Sequence, residues 1–266
     1  MVSIGVDMGA KNIKVVVLKD NEVISKALVT AGLDTEGALK EALQAASAEA
    51  GLDYTEADWI TATGAGLKDV PMAHDELTEV GAAVRGALHY FADVRTVIDV
   101  GAEEGRGVRC DADGRVIDFV VNEKCAAGAG AFTEAMARAL EVPLEEFGPL
   151  SLESDREIPM NAQCAVFAES EVVSLVHAKT PKQDIARAVH DAIASRITSM
   201  VRRVGLEEKV ALVGGLAYNV GFIDSLQRDL ETDVLIPPDP EYAAAIGAAV
   251  VAAERGSKAS EGGENS

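Results

Sequence analysis

One pattern occurs twice in this chain and constrains its fold more than any other feature. Residues 2–9, VSIGVDMG, are typical of a strand that ends in Asp7 and a glycine turn, and two further strands, IKVVVLKD and EVISKALVT, follow it. A second strand ends in Asp99-Val100-Gly101, and the hairpin RGVRC, Asp113-Gly114, RVIDFVV comes after it. The repeat predicts two lobes built on one plan, each with a meander of strands.

Helical periodicity between and after these meanders predicts an α/β architecture. The predicted helices share apolar residues at helical spacing and span Thr35 to Ala50, Glu76 to Phe91, Pro181 to Val204 and Glu241 to Glu254. We expect residues 1–95 with 240–254 to form the first lobe and residues 96–239 the second. The polar residues 255–266 are predicted to be a disordered tail.

Composition excludes several classes of protein. A chain of 266 residues with 48% hydrophobic side chains can bury a large core, and no uncharged apolar run is long enough to span a membrane. The N-terminus lacks the layout of a signal peptide, and the odd count of three cysteines argues against a disulfide framework. The net charge of −20 argues against nucleic acid as a partner. We therefore expect a cytoplasmic protein with no membrane or nucleic-acid partner.

Two cysteines, Cys125 and Cys164, each stand just before a segment with helical periodicity. A helix N-terminus carries partial positive charge and free N–H groups, which favour a thiolate or a thiolate-ligated iron–sulfur cluster. The alternative is that both are ordinary buried cysteines, since their spacing matches no compact zinc or ferredoxin pattern. Cys110 lies in an alternating strand and is predicted to be a half-buried structural thiol.

The turn after the first strand has the composition of a phosphate loop. Backbone N–H groups of Gly9 and Ala10, with the Lys11 side chain, could cradle phosphates while Asp7 holds a hydrated Mg²⁺. A plain turn is the alternative, because strand-end Asp-x-Gly is common. Asp99 and Gly101 at the equivalent point of the second lobe strengthen the prediction, since two such loops facing each other could clamp a nucleotide. Paired glycines, Gly214 and Gly215, end a later strand where a purine or ribose could approach the backbone.

Taken in order, DMGAKN, DVG, VGGLAYN and PDPEYAAAIGAAV resemble the ASKHA superfamily of sugar kinases, actin and heat-shock chaperones. The stretches NEKCAAGAGAF and NAQCAVFAESEVVSL narrow the resemblance to the BadF/BadG/BcrA/BcrD-type ATPases. That family holds the activators of 2-hydroxyacyl-CoA dehydratases and the ATP-hydrolysing subunits of benzoyl-CoA reductase. The resemblance covers residues 2 to about 254 and implies a duplicated actin-like, RNase H-like two-lobe fold with helices around mixed sheets.

The resemblance also implies roles for individual residues and a set of cofactors. ATP, Mg²⁺ and a 4Fe-4S cluster shared between two ATPase subunits are expected, with the cluster on helices within residues 122–178. The implied cluster ligands are Cys125 and Cys164. The implied catalytic residues are Asp7, Lys11, Asp99 and Glu103, and the implied nucleotide contacts are Gly9, Ala10, Lys11, Gly101, Gly214, Gly215 and Asn219.

The second loop, residues 99–104, departs from the usual activator sequence. Where activators usually have DIGGQD, this chain has DVGAEE, so that Glu103 replaces a glutamine that could orient the attacking water. This departure is similar to the D-type ATPase subunit of benzoyl-CoA reductase. The implied partners are a larger homologous ATPase subunit sharing the cluster, the acyl-CoA-reducing subunits, and ferredoxin as electron donor.

Three alternatives remain open at the level of sequence. A homodimeric dehydratase activator would share the mechanism and inject one electron catalytically. A small-molecule kinase would need an aspartate base near a sugar hydroxyl and would have no need of two helix-start cysteines. An actin-like scaffold would leave the cysteine region without a role. The four histidines show no spacing typical of a metal site, and we expect surface or helix-face positions for them.

Overall fold

A computed structural model describes residues 1–122, 129–160 and 165–263 of the chain. The predicted duplication into α/β parts with mixed sheets is confirmed. Unit 1 comprises Met1–Asp93, Asp111–Val116 and the chain from Tyr242 onward. Unit 2 comprises Val94–Cys110 and Ile117–Glu241.

Unit 1 is a five-stranded mixed sheet in the order β3-β2-β1-β4-β5. The central strand β1 runs antiparallel to β2 and parallel to β4, so its carboxyl end meets the end of β4 at one edge. The strands are β1 (Val2–Met8), β2 (Asn12–Lys19), β3 (Glu22–Thr30), β4 (Trp59–Thr63) and β5 (Asp75–Glu76), and the helices are α1 (Thr35–Ala50), α2 (Glu79–Tyr90) and α8 (Ala243–Gly263).

The sequence determines both ends of α1. The Asp34 carboxylate accepts a hydrogen bond from the Gly37 backbone N–H at 2.9 Å and caps the first turn. Gly51 adopts the left-handed conformation at the C-terminus, with φ of 70°. Between these caps Leu39 and Leu43 are buried in the apolar cluster that includes Ile13 of β2.

Unit 2 repeats the plan with the sheet order β10-β9-β6-β7-β8. The central strand β6 is antiparallel to β7 and parallel to β9, as β1 is to β2 and β4. The strands are β6 (Thr96–Val100), β7 (Gly105–Cys110), β8 (Val116–Val121), β9 (Val210–Val213) and β10 (Val234–Leu235), and the helices are α3 (Ala129–Ala139), α4 (Leu144–Ser151), α5 (Ala165–His177), α6 (Lys182–Arg203) and α7 (Val220–Leu230).

Two helix boundaries differ from the prediction by three residues or more. The second helix begins at Glu79 rather than Glu76, because residues 75 and 76 pair with β4 as β5 and Thr78 caps the helix. The last helix does not end at Glu254 but continues to Gly263, so the prediction of a disordered tail from 255 is wrong for 255–263. Arg255 contributes an ion pair with Asp75 at 2.6 Å, which holds this part of α8 to unit 1.

The remaining differences concern short elements and one thiol. Helices α4 and α7 were not predicted from the sequence. Cys110 is completely buried rather than half-buried, with its Sγ atom 3.6 Å from the Arg95 carbonyl oxygen. Among the helices of the described residues, none is both long and apolar enough to cross a membrane.

Candidate functional site

Asp7 lies at the carboxyl end of the central strand of unit 1 and is almost completely buried. The strand register places Lys14 of β2 directly opposite it. Lys14 Nζ lies 2.8 Å from Asp7 Oδ2, and both side chains are largely shielded from solvent. Directly opposed residues on antiparallel strands point to the same face, so the hairpin itself creates this ion pair.

Gly64 completes the surroundings of Asp7. It follows the end of β4, which pairs in parallel with β1 through Asp7 and Thr63. Its φ of +92° is accessible to glycine and strained for other residues, and a Cβ atom there would lie 2.6 Å from Asp7 Oδ1. The backbone of the β4 turn is therefore packed directly against the carboxylate.

Unit 2 contains the same arrangement around Asp99. Asp99 is also nearly buried near the end of a central strand, and the register of β6 with β7 places Arg106 opposite it. Arg106 Nη1 lies 3.1 Å from Asp99 Oδ2, and Nη2 lies 2.5 Å from Glu104 Oε2. In both units the cation is seven residues after the aspartate.

Gly214 occupies the position in unit 2 that Gly64 occupies in unit 1. It follows β9, which pairs in parallel with β6 through Asp99 and Val213. Its φ is +88°, and a Cβ atom there would lie 2.4 Å from the Val100 carbonyl oxygen and 2.8 Å from Asp99 Oδ1. The glycine predicted from sequence as a nucleoside contact thus also shapes the backbone beside the aspartate.

Each unit therefore presents one buried aspartate, one cation opposite it and a glycine turn at the end of the strands. Backbone amides in such turns can bind anionic oxygens, and a carboxylate can bind a hydrated divalent cation. The described residues contain no group of three or more His, Cys, Asp or Glu side chains placed to hold a metal ion. A carboxylate can contact a metal ion through the water molecules bound to that ion as well as directly.

The predicted loop residues lie where the sequence indicated. Ala10 and Lys11 are exposed in the turn between β1 and β2, beside the half-buried Gly9. Glu103 is exposed, whereas Glu104 is half-buried and paired with Arg106. Sequence reasoning missed Lys14 and Arg106, and it noted Glu104 only as part of the DVGAEE motif. The register of each hairpin could have found the two cations, since it places them opposite the aspartates.

Asn219 has a role in the fold besides its predicted nucleoside contact. Its side-chain Oδ1 accepts hydrogen bonds from the backbone N–H groups of Gly221 and Phe222, each at 3.0 Å, and so caps α7. Gly148 of α4 packs against this cap, because a Cβ atom there would lie 2.6 Å from Asn219 Oδ1. The cap fixes the segment that follows the paired glycines.

His190 of α6 is completely buried next to this segment. Its Nδ1 atom lies 2.8 Å from the Ala186 carbonyl oxygen, and its ring packs against Phe147 with a centroid distance of 4.9 Å. Burial lowers the pKa of His190 to about 4, although Ala186, Asp191 and Asn219 act in the opposite direction. The imidazole is therefore neutral in the folded protein at neutral pH.

We expect His190 to make unit 2 sensitive to acid. The unfolded chain takes up a proton at this residue below the ordinary histidine pKa of 6.5, whereas the folded chain does so only near 4. The free energy of unfolding should therefore fall as the pH decreases through this window, by about 3 kcal/mol from this group. Denaturant unfolding of His190→Gln at several pH values should show a reduced slope in this window. The control His177→Gln, at an exposed position of α5, should keep the parent slope. Equal slopes for the parent and His190→Gln would contradict the assignment.

The predicted cluster ligands Cys125 and Cys164 lie outside the described residues. The helices that follow them are described: α3 begins at Ala129, and α5 begins at Ala165. The Gly130 backbone N–H donates to the Gly101 carbonyl oxygen at 3.2 Å, and that of Ala131 donates to the Ala102 carbonyl oxygen at 3.0 Å. The second loop thus accepts hydrogen bonds from the start of α3.

Comparison with known proteins gives consistent matches over almost the whole chain. The sequence profile of the BadF/BadG/BcrA/BcrD ATPase family matches residues 4–252. The activator of lactoyl-CoA dehydratase from Anaerotignum propionicum is 34% identical over 97% of this chain and 100% of its own length. The D-type subunit of benzoyl-CoA reductase from Thauera aromatica is 32% identical over 82% of this chain and 79% of its own.

A solved structure matches the fold of almost the whole chain. It is component A of the (R)-2-hydroxyglutaryl-CoA dehydratase of Acidaminococcus fermentans, which superposes with a TM-score of 0.92 at 31% identity. The match covers 97% of this chain and 99% of that one. The actin-like class of fold implied by the sequence is confirmed.

Proposed function

Because this chain belongs to the BadF/BadG/BcrA/BcrD ATPase family, whose members hydrolyse ATP, we propose that it uses that hydrolysis to drive electrons toward an acyl-CoA enzyme. The observation that carries the proposal is the repeated aspartate loop. Asp7 with Lys14, and Asp99 with Arg106, occupy equivalent positions at the ends of the central strands of their units. Charged groups placed in this way support a role in phosphoryl transfer, which depends on charges around the phosphates.

In this proposal each loop has its own role toward Mg²⁺-ATP. Asp7 holds the hydrated Mg²⁺, while Lys11 and the backbone of Gly9 and Ala10 contact phosphate. Asp99 and Gly101 contribute from the second loop, and Glu103 replaces the usual water-orienting glutamine. Gly214, Gly215 and Asn219 contact the nucleoside. Gly215 supports this role, since a Cβ atom built there would meet no atom within 4 Å.

We further propose that Cys125 and Cys164 hold half of the ligands of a 4Fe-4S cluster. Such a cluster normally takes four cysteine thiolates, and Cys110 is excluded because it is buried in unit 2 against the Val94 and Arg95 carbonyls. A second ATPase subunit would supply the other pair. When bound, the cluster would carry the low-potential electron, received from a donor such as ferredoxin.

Two assignments within the family are candidates. We propose first a subunit of a benzoyl-CoA reductase, because the DVGAEE loop resembles its D-type subunit and places Glu104 in an ion pair with Arg106. Its partners would be a larger ATPase homologue and the acyl-CoA-reducing subunits. The second candidate is a homodimeric activator of a 2-hydroxyacyl-CoA dehydratase. It is favoured by the more complete coverage of the activator from Anaerotignum propionicum.

The experiment that tests the proposal is anaerobic reconstitution of the full chain with iron and sulfide, followed by Mg²⁺-ATP hydrolysis and native mass measurement. The proposal predicts hydrolysis together with a cluster shared between two subunits. A homodimer holding one full cluster would favour the activator, whereas poor cluster retention that a larger homologue restores would favour the reductase subunit. A colourless protein that phosphorylates a small molecule would contradict both candidates and favour a kinase.

A further inference from the structure

Arg106 joins two carboxylates of the second loop. Its Nη1 and Nη2 atoms contact Asp99 and Glu104 respectively, and its side chain is only 12% exposed. A guanidinium presents its donors in a fixed planar arrangement, so it can hold two acceptors at once, which the ammonium of a lysine does less precisely. The position of Glu104 is therefore tied to that of Asp99.

The same residues close a tight turn. The Gly101 backbone N–H donates to the Glu104 carbonyl oxygen at 2.9 Å, so residues 101–104 are closed once through the backbone. The Arg106 side chain bridges the same turn through its ion pairs with Glu104 and Asp99. Gly105 is the strand partner of Val100 at the end of the β6–β7 hairpin, so strand pairing also fixes the two ends of the turn.

The turn is also the hydrogen-bond partner of α3. Backbone N–H groups in the first turn of a helix have no acceptor within the helix, and here those of Gly130 and Ala131 donate to the Gly101 and Ala102 carbonyls. A Cβ atom on Gly130 would lie 2.9 Å from the Gly101 carbonyl oxygen, so the approach is close. A shift of the turn must therefore change the partners of the first amides of α3.

We propose that Arg106 is a positioning residue that sets the second loop for nucleotide hydrolysis and, through the turn 101–104, couples nucleotide binding to the start of α3. This inference rests on the proposed ATPase site and names a residue within it. In this role Arg106 acts through its contacts with Asp99 and Glu104 rather than through the reacting atoms.

The test uses the full chain in four versions: the parent, Arg106→Lys, Arg106→Gln and Glu104→Gln. Steady-state hydrolysis gives kcat and KM for Mg²⁺-ATP. Hydrogen exchange of α3, with and without a non-hydrolysable ATP analogue, reports the coupling. Arg109→Gln is the matched control, because Arg109 lies on the same strand and pairs at 3.0 Å with Glu207.

We expect Arg106→Lys to keep KM within about threefold and to lose kcat by about tenfold, because charge is retained while the two-carboxylate geometry is lost. The nucleotide-dependent protection of α3 should disappear in Arg106→Lys and Arg106→Gln and weaken in Glu104→Gln. The control should behave as the parent does. Thermal melts show which variants fold. If Arg106→Gln does not fold, the Glu104→Gln variant still tests the inference.

Two outcomes would overturn the inference. A purely structural arginine would lower the melting temperature and leave both kcat of the folded protein and the exchange difference in α3 unchanged. The inference would also be overturned if all three variants had the kcat and the hydrogen exchange of the parent. A parent chain that neither binds nor hydrolyses ATP would instead refute the proposed function, so the two failures can be told apart.

Discussion

Asp7→Asn is expected to lower Mg²⁺-ATP hydrolysis by at least about tenfold, which corresponds to about 1.4 kcal/mol of lost transition-state stabilisation. The carboxylate is nearly buried and is paired with Lys14 at 2.8 Å. Its removal takes away the proposed Mg²⁺ contact and leaves the Lys14 ammonium without its carboxylate. Lys14→Ala and Lys11→Ala should each show a loss of similar size, because Lys14 positions Asp7 and Lys11 contacts phosphate.

The matched control for this series is Lys19→Ala. Lys19 ends the same strand β2 as Lys14 but is exposed at the opposite end of the hairpin. The Lys19→Ala variant should hydrolyse ATP at the parent rate. Parent-like hydrolysis by Asp7→Asn, in a protein with an unchanged melting temperature, would remove the first loop from the proposed site. Parent-like hydrolysis by Lys11→Ala alone would remove only the phosphate contact.

Cys125→Ser and Cys164→Ser are each expected to abolish the iron–sulfur signal after anaerobic reconstitution. Serine replaces the soft thiolate that such a cluster requires. Cys110→Ser should leave the iron content unchanged, because the Cys110 sulfur lies within unit 2 at 3.6 Å from the Arg95 carbonyl oxygen. Iron and sulfide analysis with EPR spectroscopy measures both effects.

Cys110→Ser is the matched control for that experiment, since it removes a thiol without removing a proposed ligand. Circular dichroism of all three variants should show that the fold is retained. Loss of iron in Cys110→Ser, or full iron in either of the other two variants, would mean that the ligand set is wrong.

Much of this architecture could be predicted from the sequence, because its strongest signals are local. The two Asp-x-Gly turns follow apolar strands, and they located β1 and β6, which the structure places at the centres of their sheets. Helix α1 was predicted with its exact limits, since Asp34 and Gly51 are ordinary capping residues. The extension of α8 could not be predicted in this way, because the Arg255 and Asp75 ion pair joins residues far apart in the chain.

The candidate site was predicted as positions in loops but not as a set of contacts. Lys11 was selected because it lies within the turn, whereas the structure pairs Lys14 with Asp7. Glu103 was selected by its place in the DVGAEE motif, whereas Glu104 is the acid that Arg106 contacts. These pairings depend on strand register and turn geometry, and a sequence motif alone does not specify either of them.

EPR spectroscopy can test ATP-driven electron transfer directly in the anaerobically reconstituted, reduced chain together with its partner ATPase chain, before and after addition of Mg²⁺-ATP. We expect about one 4Fe-4S cluster per two ATPase chains, as four thiolates require, and a cluster signal that changes when nucleotide binds. The change should be absent in Asp7→Asn, which has lost a proposed nucleotide contact. An iron-free protein, or a cluster whose signal is indifferent to nucleotide in the parent chain, would contradict ATP-driven electron transfer.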